Sequence, residues 1–417
     1  MKPGQVNLPP TAHLRWWIAE DALRDRRGHW FEYVSTFVRE LRALGDEVAV
    51  LADRAAEPFI REQLGAHAAL PDSIWHRMSD GAGSLRRYAR VPGHAWQTRR
   101  ALLAWLRTHP APDLIFVPTV LVHHLLGWTW LIHGALRQTK TRVLLFFPNT
   151  PVRLDSATRQ PVWQPAPTSK LLAHLLRKLA PEVAAGRVIL GAETLRMRDA
   201  LSAVSGVPFT YLPHPVSPVG MSMPARDDGR DLLFGSYGPA RHEKGSDILQ
   251  TALKTALAAP SVARVRFAMQ WIDSFRDDRG SLISRAPELE ANPRVEFINR
   301  FFQDGEYAQR LAATHALLLP YRASSYALRV SRVVIEAMVN GLPVVATRGT
   351  TLAQQAEQFG SAELCEDGDA GSLTAAIGSL AADFPQRQAA ASQRMAAARA
   401  HFSVANFRAL LNGADQR

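Results

Sequence analysis

The stretch DLLFGSYGPARHEKGSDILQTALKTALAA, residues 231–259, decides how the rest of the chain is read. Leu232, Leu233 and Phe234 make an apolar cluster of strand length, and Gly235 and Gly238 break it. From Gly245 onward Ile248, Leu249, Ala252, Leu253 and Ala256 recur at helical spacing. A strand that turns through glycine into a helix is the repeating unit of a parallel α/β sheet. At the turn, Arg241 and Lys244 stand three residues apart beside the coming helix N-terminus. That construction suits a diphosphate, because backbone N–H groups and the helix dipole face the anion while two cations neutralise it. Solvated cations capping a surface helix fit the spacing equally well. The Gly-Lys-Ser/Thr order of a P-loop is absent.

The same alternation extends in both directions. Downstream, strand-length clusters fall at 264–269, 295–298, 316–320, 343–347 and 363–365, with helical segments at 306–314, 331–340 and 371–382. Upstream, strands are expected at 15–19, 47–52, 114–117, 141–147, 187–191 and 209–212. Helices are expected at 29–44, 121–136, 169–180 and 194–202; in the first, Trp30, Val34, Phe37, Val38 and Leu41 share one stripe. Residues 214–230 interrupt the pattern with three prolines and two glycines and read as a linker. The expectation is an α/β protein of two doubly wound, Rossmann-like domains facing across a cleft. They span residues 1–213 and 231–402, with a last segment at 403–417, and ligands at the carboxyl ends of the strands.

Composition narrows the partners. An apolar content of 47% excludes a disordered chain, and no repeat unit is present. Lys plus Arg number 49 against 38 acidic residues, and only about six are Lys, so the net charge of +11 is nearly all guanidinium. That favours phosphate or carboxylate ligands; no RNA or DNA module is recognisable, so nucleic acid is not an expected partner. The single cysteine, Cys365, and an N-terminal segment without an apolar run set the expectation of a reducing, cytoplasmic setting. Residues 114–132 are long enough to span a bilayer but contain Pro118, His123 and His124, and read as a buried strand, a turn and an apolar helix. Residues 85–107 mix six arginines with Tyr88, Trp96 and Trp105. They read either as a surface helix or as one lying on an anionic membrane.

A second constellation, YRASSYALRVSRVVIEAMVNGLPVVATRGTT (residues 321–351), runs from a polar loop into a helix near Ser331. Glu336 falls about one and a half turns in. A carboxylate there accepts hydrogen bonds from vicinal ribose hydroxyls, or is simply a solvated helix residue. Arg329 and Ser331, at the helix start, are placed to meet phosphate. The order strand, glycine turn, R-x-x-K-G and then E-A-x-x-x-G-x-P-V-V resembles the donor domain of retaining glycosyltransferases of the GT-B fold, the large family-four class, over most of residues 231–402. The resemblance implies that Arg241 and Lys244 hold and stabilise the leaving diphosphate as the catalytic pair and that Glu336 binds the ribose. It places Gly238, Asn299, Arg300, Arg329 and Ser331 around the donor, with Gly28 in the facing loop. It implies no metal and no cofactor beyond the nucleotide-sugar donor, and a last helix near 404–411 that crosses back to the first domain.

Two departures stand out. The family commonly has a second Glu eight positions before Glu336, and here that position is Leu328; Arg332 stands where a variant subset with Y-x-x-R-x-S has Gly. In the first domain His29, Glu32 and Asn149 are candidate acceptor contacts, and His29 as a plain helix cap fits as well. Where many relatives place a histidine after the strand at 141–147 the chain reads Pro148-Asn149-Thr150, so no general base is named. Asp367-Gly-Asp369 spells D-x-D, but its place fits a turn and helix cap. The resulting expectation is hexosyl transfer with retention to a glycan, a lipid-linked glycan or a small molecule, as in polysaccharide biosynthesis. The rivals are a degenerate GT-B binding protein, favoured by Leu328, and a GT-B nucleotide-sugar epimerase, which needs carboxylates and a histidine that the sequence does not point to.

Overall fold

The computed structural model describes residues 13–26, 30–73, 84–149, 151–217, 229, 231–303 and 305–411. Two compact units divide the chain: residues 1–215 with 404–417, and residues 216–403.

In the first unit a seven-stranded sheet is built from β1 (Arg15–Glu20), β2 (Glu47–Asp53), β3 (Ala66–Leu70), β4 (Leu114–Val117), β5 (Arg142–Phe147), β8 (Val188–Ala192) and β9 (Thr210–Tyr211). Its order is β3-β2-β1-β4-β5-β8-β9 and every pair is parallel. A small antiparallel hairpin, β6 (Val152–Leu154) with β7 (Pro161–Trp163), stands apart. In the second unit β10 (Leu232–Ser236), β11 (Val265–Gln270), β14 (Val295–Ile298), β15 (Ala316–Leu319), β16 (Val344–Thr347) and β17 (Ala362–Cys365) form a parallel sheet of order β14-β11-β10-β15-β16-β17, with a hairpin of β12 (Phe275–Arg276) and β13 (Leu282–Ile283). Strand runs such as LIFV and ALLL are fully buried because helices cover both faces.

Each sheet reverses its winding beside its first strand, between β1 and β4 and between β10 and β15. Loops leaving neighbouring strands part there and open a crevice at the carboxyl ends, where ligands bind in such sheets.

The first unit's core includes Trp16, Ile18, Val34, Phe37, Phe116 and Phe146, and it is completed by Phe407 and Leu411 of the helix Val404–Leu411. Phe407 lies 4.8 Å from Phe37 and 5.6 Å from Phe116, ring to ring. Arg408 closes on the buried Asp46 at 2.7 and 3.0 Å, and the same carboxylate accepts from Leu14 N and Trp16 Nε1. The apolar run at 114–132 is a strand, a turn and the helix Val122–His133, and among the described residues no helix is long and apolar enough to cross a membrane. The helix expected over 121–136 stops at His133, before Gly134, and a 3-10 turn, Ala135–Gln138, follows. Helices Pro58–Leu64, Thr351–Phe359 and Phe384–His401 were not anticipated. The last is alanine-rich and buries few large side chains, so its period is faint.

Candidate active site

The crevice of the second unit is shaped by two glycines. Gly238 has φ +90° and its N–H donates to Gln270 Oε1 at 2.7 Å; a Cβ there would lie 2.4 Å from Lys244 Nζ. Glycine thus lets the ammonium sit against the loop backbone. Gly245 has φ +63°, and its Cβ would fall 2.0 Å from the carbonyl oxygen of Pro320, so glycine also lets the turn His242–Lys244 close onto the end of β15. Arg322 locks that closure: its backbone N–H donates to the Glu243 carbonyl, its Nε to the His242 carbonyl at 3.0 Å, and its guanidinium pairs with Asp247 at 2.5 Å.

Around the turn the charges converge. Glu243 lies 3.6 Å from the Arg241 guanidinium and 3.7 Å from that of Arg329, both of them solvent-accessible. Lys244 is half-buried, with Nζ 5.9 Å from the centroid of Tyr321. Burial, reinforced by the charge of Arg241, pushes its ammonium down to about 8. Arg329 lies over the Tyr326 ring at 5.0 Å, Tyr326 packs on Tyr321 at 4.7 Å, and Thr351 Oγ1 donates to the carbonyls of Tyr326 and Arg329. The loop carrying Arg329 is therefore fixed at its backbone while its guanidinium remains accessible.

Glu336, the fifth residue of the helix Arg332–Val339, is 2% exposed. Its carboxylate accepts from the Tyr307 hydroxyl and from Arg332 Nε at 2.8 Å. Burial and the Glu336 charge raise the Tyr307 phenol well above its ordinary value, so Tyr307 acts as a donor. Tyr321, which sequence reading passed over, joins the two halves of the site: it hydrogen-bonds Ser331, feels the charges of Glu336 and Glu243, and carries Lys244 over its ring. Gln270 is a second omission. It accepts from Gly238 and donates to the Arg300 carbonyl at 2.9 Å, tying two strand-end loops together. A polar residue closing an apolar strand was the available signal for both. Asn299 is exposed, and the Arg300 side chain is committed to Glu306 at 2.6 and 2.7 Å. Leu328 is buried. Asp369 caps the helix Ala370–Ala382 by accepting from Gly371 N and Ser372 N, and Asp367 accepts from Ala323 N.

The first unit places the candidate acceptor residues differently. Gly28 and His29 lie outside the described residues, and Glu32 and Asn149 are exposed. Buried polar groups collect instead at the carboxyl ends of the strands. The Asp21 carboxylate oxygen lies 2.9 Å from His124 Nε2 and 3.2 Å from His94 Nε2. Burial would raise Asp21, but the charge and hydrogen bonds of the two imidazoles outweigh it and hold it low; Asp21 in turn outweighs burial and raises His124. The sequence showed no clustered metal ligands; folding brings Asp21, His94 and His124 within 4.8 Å, a set able to hold a cation as well as to pair internally. Beside them Glu20 is pushed up to about 8 by burial and by Asp21, and His214 Nδ1 meets Glu193 at 2.9 Å.

Residues 232–383 match the family model described as Glycosyl transferases group 1. No curated protein sequence matches the chain. Among solved structures, sucrose-phosphate synthase from Thermosynechococcus elongatus is similar with a TM-score of 0.60 and 15% identity, over 95% of this chain and 96% of that one. HepE of Anabaena, solved in complex with UDP-glucose, is similar with a TM-score of 0.58 and 15% identity, over 96% of this chain and 99% of that one. The catalytic domain of starch synthase IV from Arabidopsis thaliana, bound to ADP and acarbose, gives a TM-score of 0.59 at 10% identity, over 97% and 100%. At these identities the likeness carries the fold. The second unit thus matches the Glycosyl transferases group 1 model over residues 232–383, in a chain whose two Rossmann-like halves have the GT-B fold.

Proposed function

We propose that the protein is a glycosyltransferase that moves a sugar from a nucleotide-diphosphate sugar to an acceptor, with retention and without a metal. The observation that carries this reading is the meeting of Arg241, Lys244 and Arg329 about one strand-end turn at the winding reversal of the second unit's sheet. Solved relatives support the donor class: HepE was solved with UDP-glucose and starch synthase IV with ADP.

In this reading the diphosphate lies against the Gly238 loop, with Arg241 and Lys244 opposing the charge that grows on it as the glycosidic bond breaks. Two fixed cations meet the developing charge without a metal ion. Glu336, held by Tyr307 and Arg332, receives the ribose hydroxyls on its remaining lone pairs. Arg329 and Ser331 stand near the phosphates or the sugar, and Asn299 and Arg300 flank the base through their backbone. Retention follows from a same-face reaction in which the departing diphosphate takes the acceptor proton. The acceptor, a glycan, a lipid-linked glycan or a small molecule, is assigned to the first unit. A reducing compartment suits the lone, buried Cys365.

Calorimetry against UDP, GDP, ADP, TDP and CMP and their common sugar conjugates, with a chelator present, tests the donor class; at about a hundred times its dissociation constant a bound nucleotide stabilises the fold by about 2.7 kcal/mol. Lys244→Ala is expected to lower turnover by about a hundredfold or more. An unchanged rate removes Lys244 from the mechanism.

A further inference from the structure

We propose that Glu20, Tyr33, Glu193 and His214 of the first unit form a pocket that takes the hydroxyl groups of a neutral, sugar-like acceptor. The proposal rests on the glycosyl-transfer reading, which requires an acceptor, and adds its site and its charge class.

The four side chains come from separate places: the end of β1, the first turn of the helix Trp30–Ala43, the residue after β8 and the segment after β9. They are 1, 6, 3 and 6% exposed. Tyr33 feels the charges of both Glu193 and Glu20, and its ring lies 4.5 Å from that of His214, tilted by 34°. Three of the four are anchored by hydrogen bonds. His214 Nδ1 pairs with Glu193 Oε1 at 2.9 Å, and Glu20 Oε1 accepts from Ala22 N at 3.0 Å. The Thr119 hydroxyl lies within reach of the same Glu20 carboxyl.

Against this order, Glu20 Oε2, the Tyr33 hydroxyl and His214 Nε2 have no hydrogen-bond partner among the described residues. Buried polar atoms are nearly always partnered, so three orphans in one cluster mark a place for something polar. The chemistry of the three selects it. A phenol donates, and an imidazole whose Nδ1–H is given to Glu193 accepts at Nε2. The Glu20 carboxyl accepts at Oε2. A hydroxyl needs this mixture, since it donates one hydrogen bond and accepts others. A phosphate does not: these four side chains include no Lys or Arg, and two of them are acidic.

The test titrates the full chain, without glycerol, with methyl glucoside, methyl galactoside, methyl mannoside and myo-inositol, and with glucose 6-phosphate as the anionic counterpart. At least one neutral probe is expected to bind, more tightly than the phosphate. Its affinity is expected to fall about tenfold or more in Tyr33→Phe and in Glu20→Gln, both near-isosteric, while UDP binding stays at the wild-type value. Melting temperatures are expected to hold or rise in these variants, since each removes or neutralises an orphan group. Equal probe binding in wild type and both variants overturns the pocket, as does no binding by any neutral probe; either result assigns the orphan atoms to bound water. Failure of the wild type to bind any nucleoside diphosphate is read separately, because none of the four residues belongs to the unit that carries the donor site, and it overturns the transferase reading instead.

Discussion

Lys244 is where burial and charge oppose one another, and the opposition has a sign. Its ammonium titrates near 8 rather than 10.5 because burial, and then Arg241, disfavour the charged form. Between those values the folded chain binds fewer protons than the unfolded one, so the penalty is full below about pH 8 and is relieved as pH rises toward 10.5. A bound diphosphate reverses the preference and requires the proton. UDP affinity is therefore expected to fall by up to about tenfold between pH 7 and 9. Lys244→Arg, which stays charged, should flatten the profile; calorimetry at three pH values checks this, and a wild-type profile as flat as that of the Arg variant counts against the contact. At this scale Arg241, Lys244 and Glu336 stood out in the sequence through the motif resemblance, since spacing alone fits surface helix residues as well. Tyr321, Tyr307 and Gln270 did not stand out, because partners dozens of residues apart leave no mark on the local pattern. Glu20, Glu193 and His214 were hidden for the same reason.

Among the elements, the helix Ser84–Thr108 and its neighbours carry the second expectation. Trp96 and Trp130 are 51 and 41% exposed and line one groove with Arg99, His133 and Lys178. Exposed indoles beside cations suit the interface of an anionic bilayer. Salt-sensitive binding to vesicles rich in phosphatidylglycerol is expected, weakening by roughly 1 kcal/mol for each of Arg99, Arg100 and Lys178 that is neutralised. Vesicle sedimentation at low and high salt measures it; no binding at low salt removes the membrane from the list of partners. Strong apolar runs made most strands legible, while β3, the two hairpins and the alanine-rich helix Phe384–His401 were not, since each leans on tertiary packing more than on its own period.

For the whole molecule, the alternation of strand and helix was enough to read two doubly wound units, because parallel sheets need that order. What the pattern does not convey is how much the first unit depends on its returning helix. Phe407 is fully buried against Phe37, Phe116 and Phe146. Phe407→Ala is expected to cost the first unit about 3–5 kcal/mol. All ten tryptophans except Trp271 precede residue 216, so fluorescence-monitored urea unfolding reports that unit almost alone. An unshifted fluorescence transition would show that the helix is dispensable.

That returning helix also sets an order of events during synthesis. Residues 404–411 leave the ribosome after every residue of the second unit, although the core they complete is encoded first. Of the two units, the one encoded first is therefore the last to be finished. While residues 216–403 emerge and fold, the face formed by Phe37, Phe116 and Phe146 waits uncovered, the kind of apolar surface that chaperones hold. A chain cut short before Val404 keeps all of residues 216–403 but leaves the core of its first unit without Phe407 and Leu411.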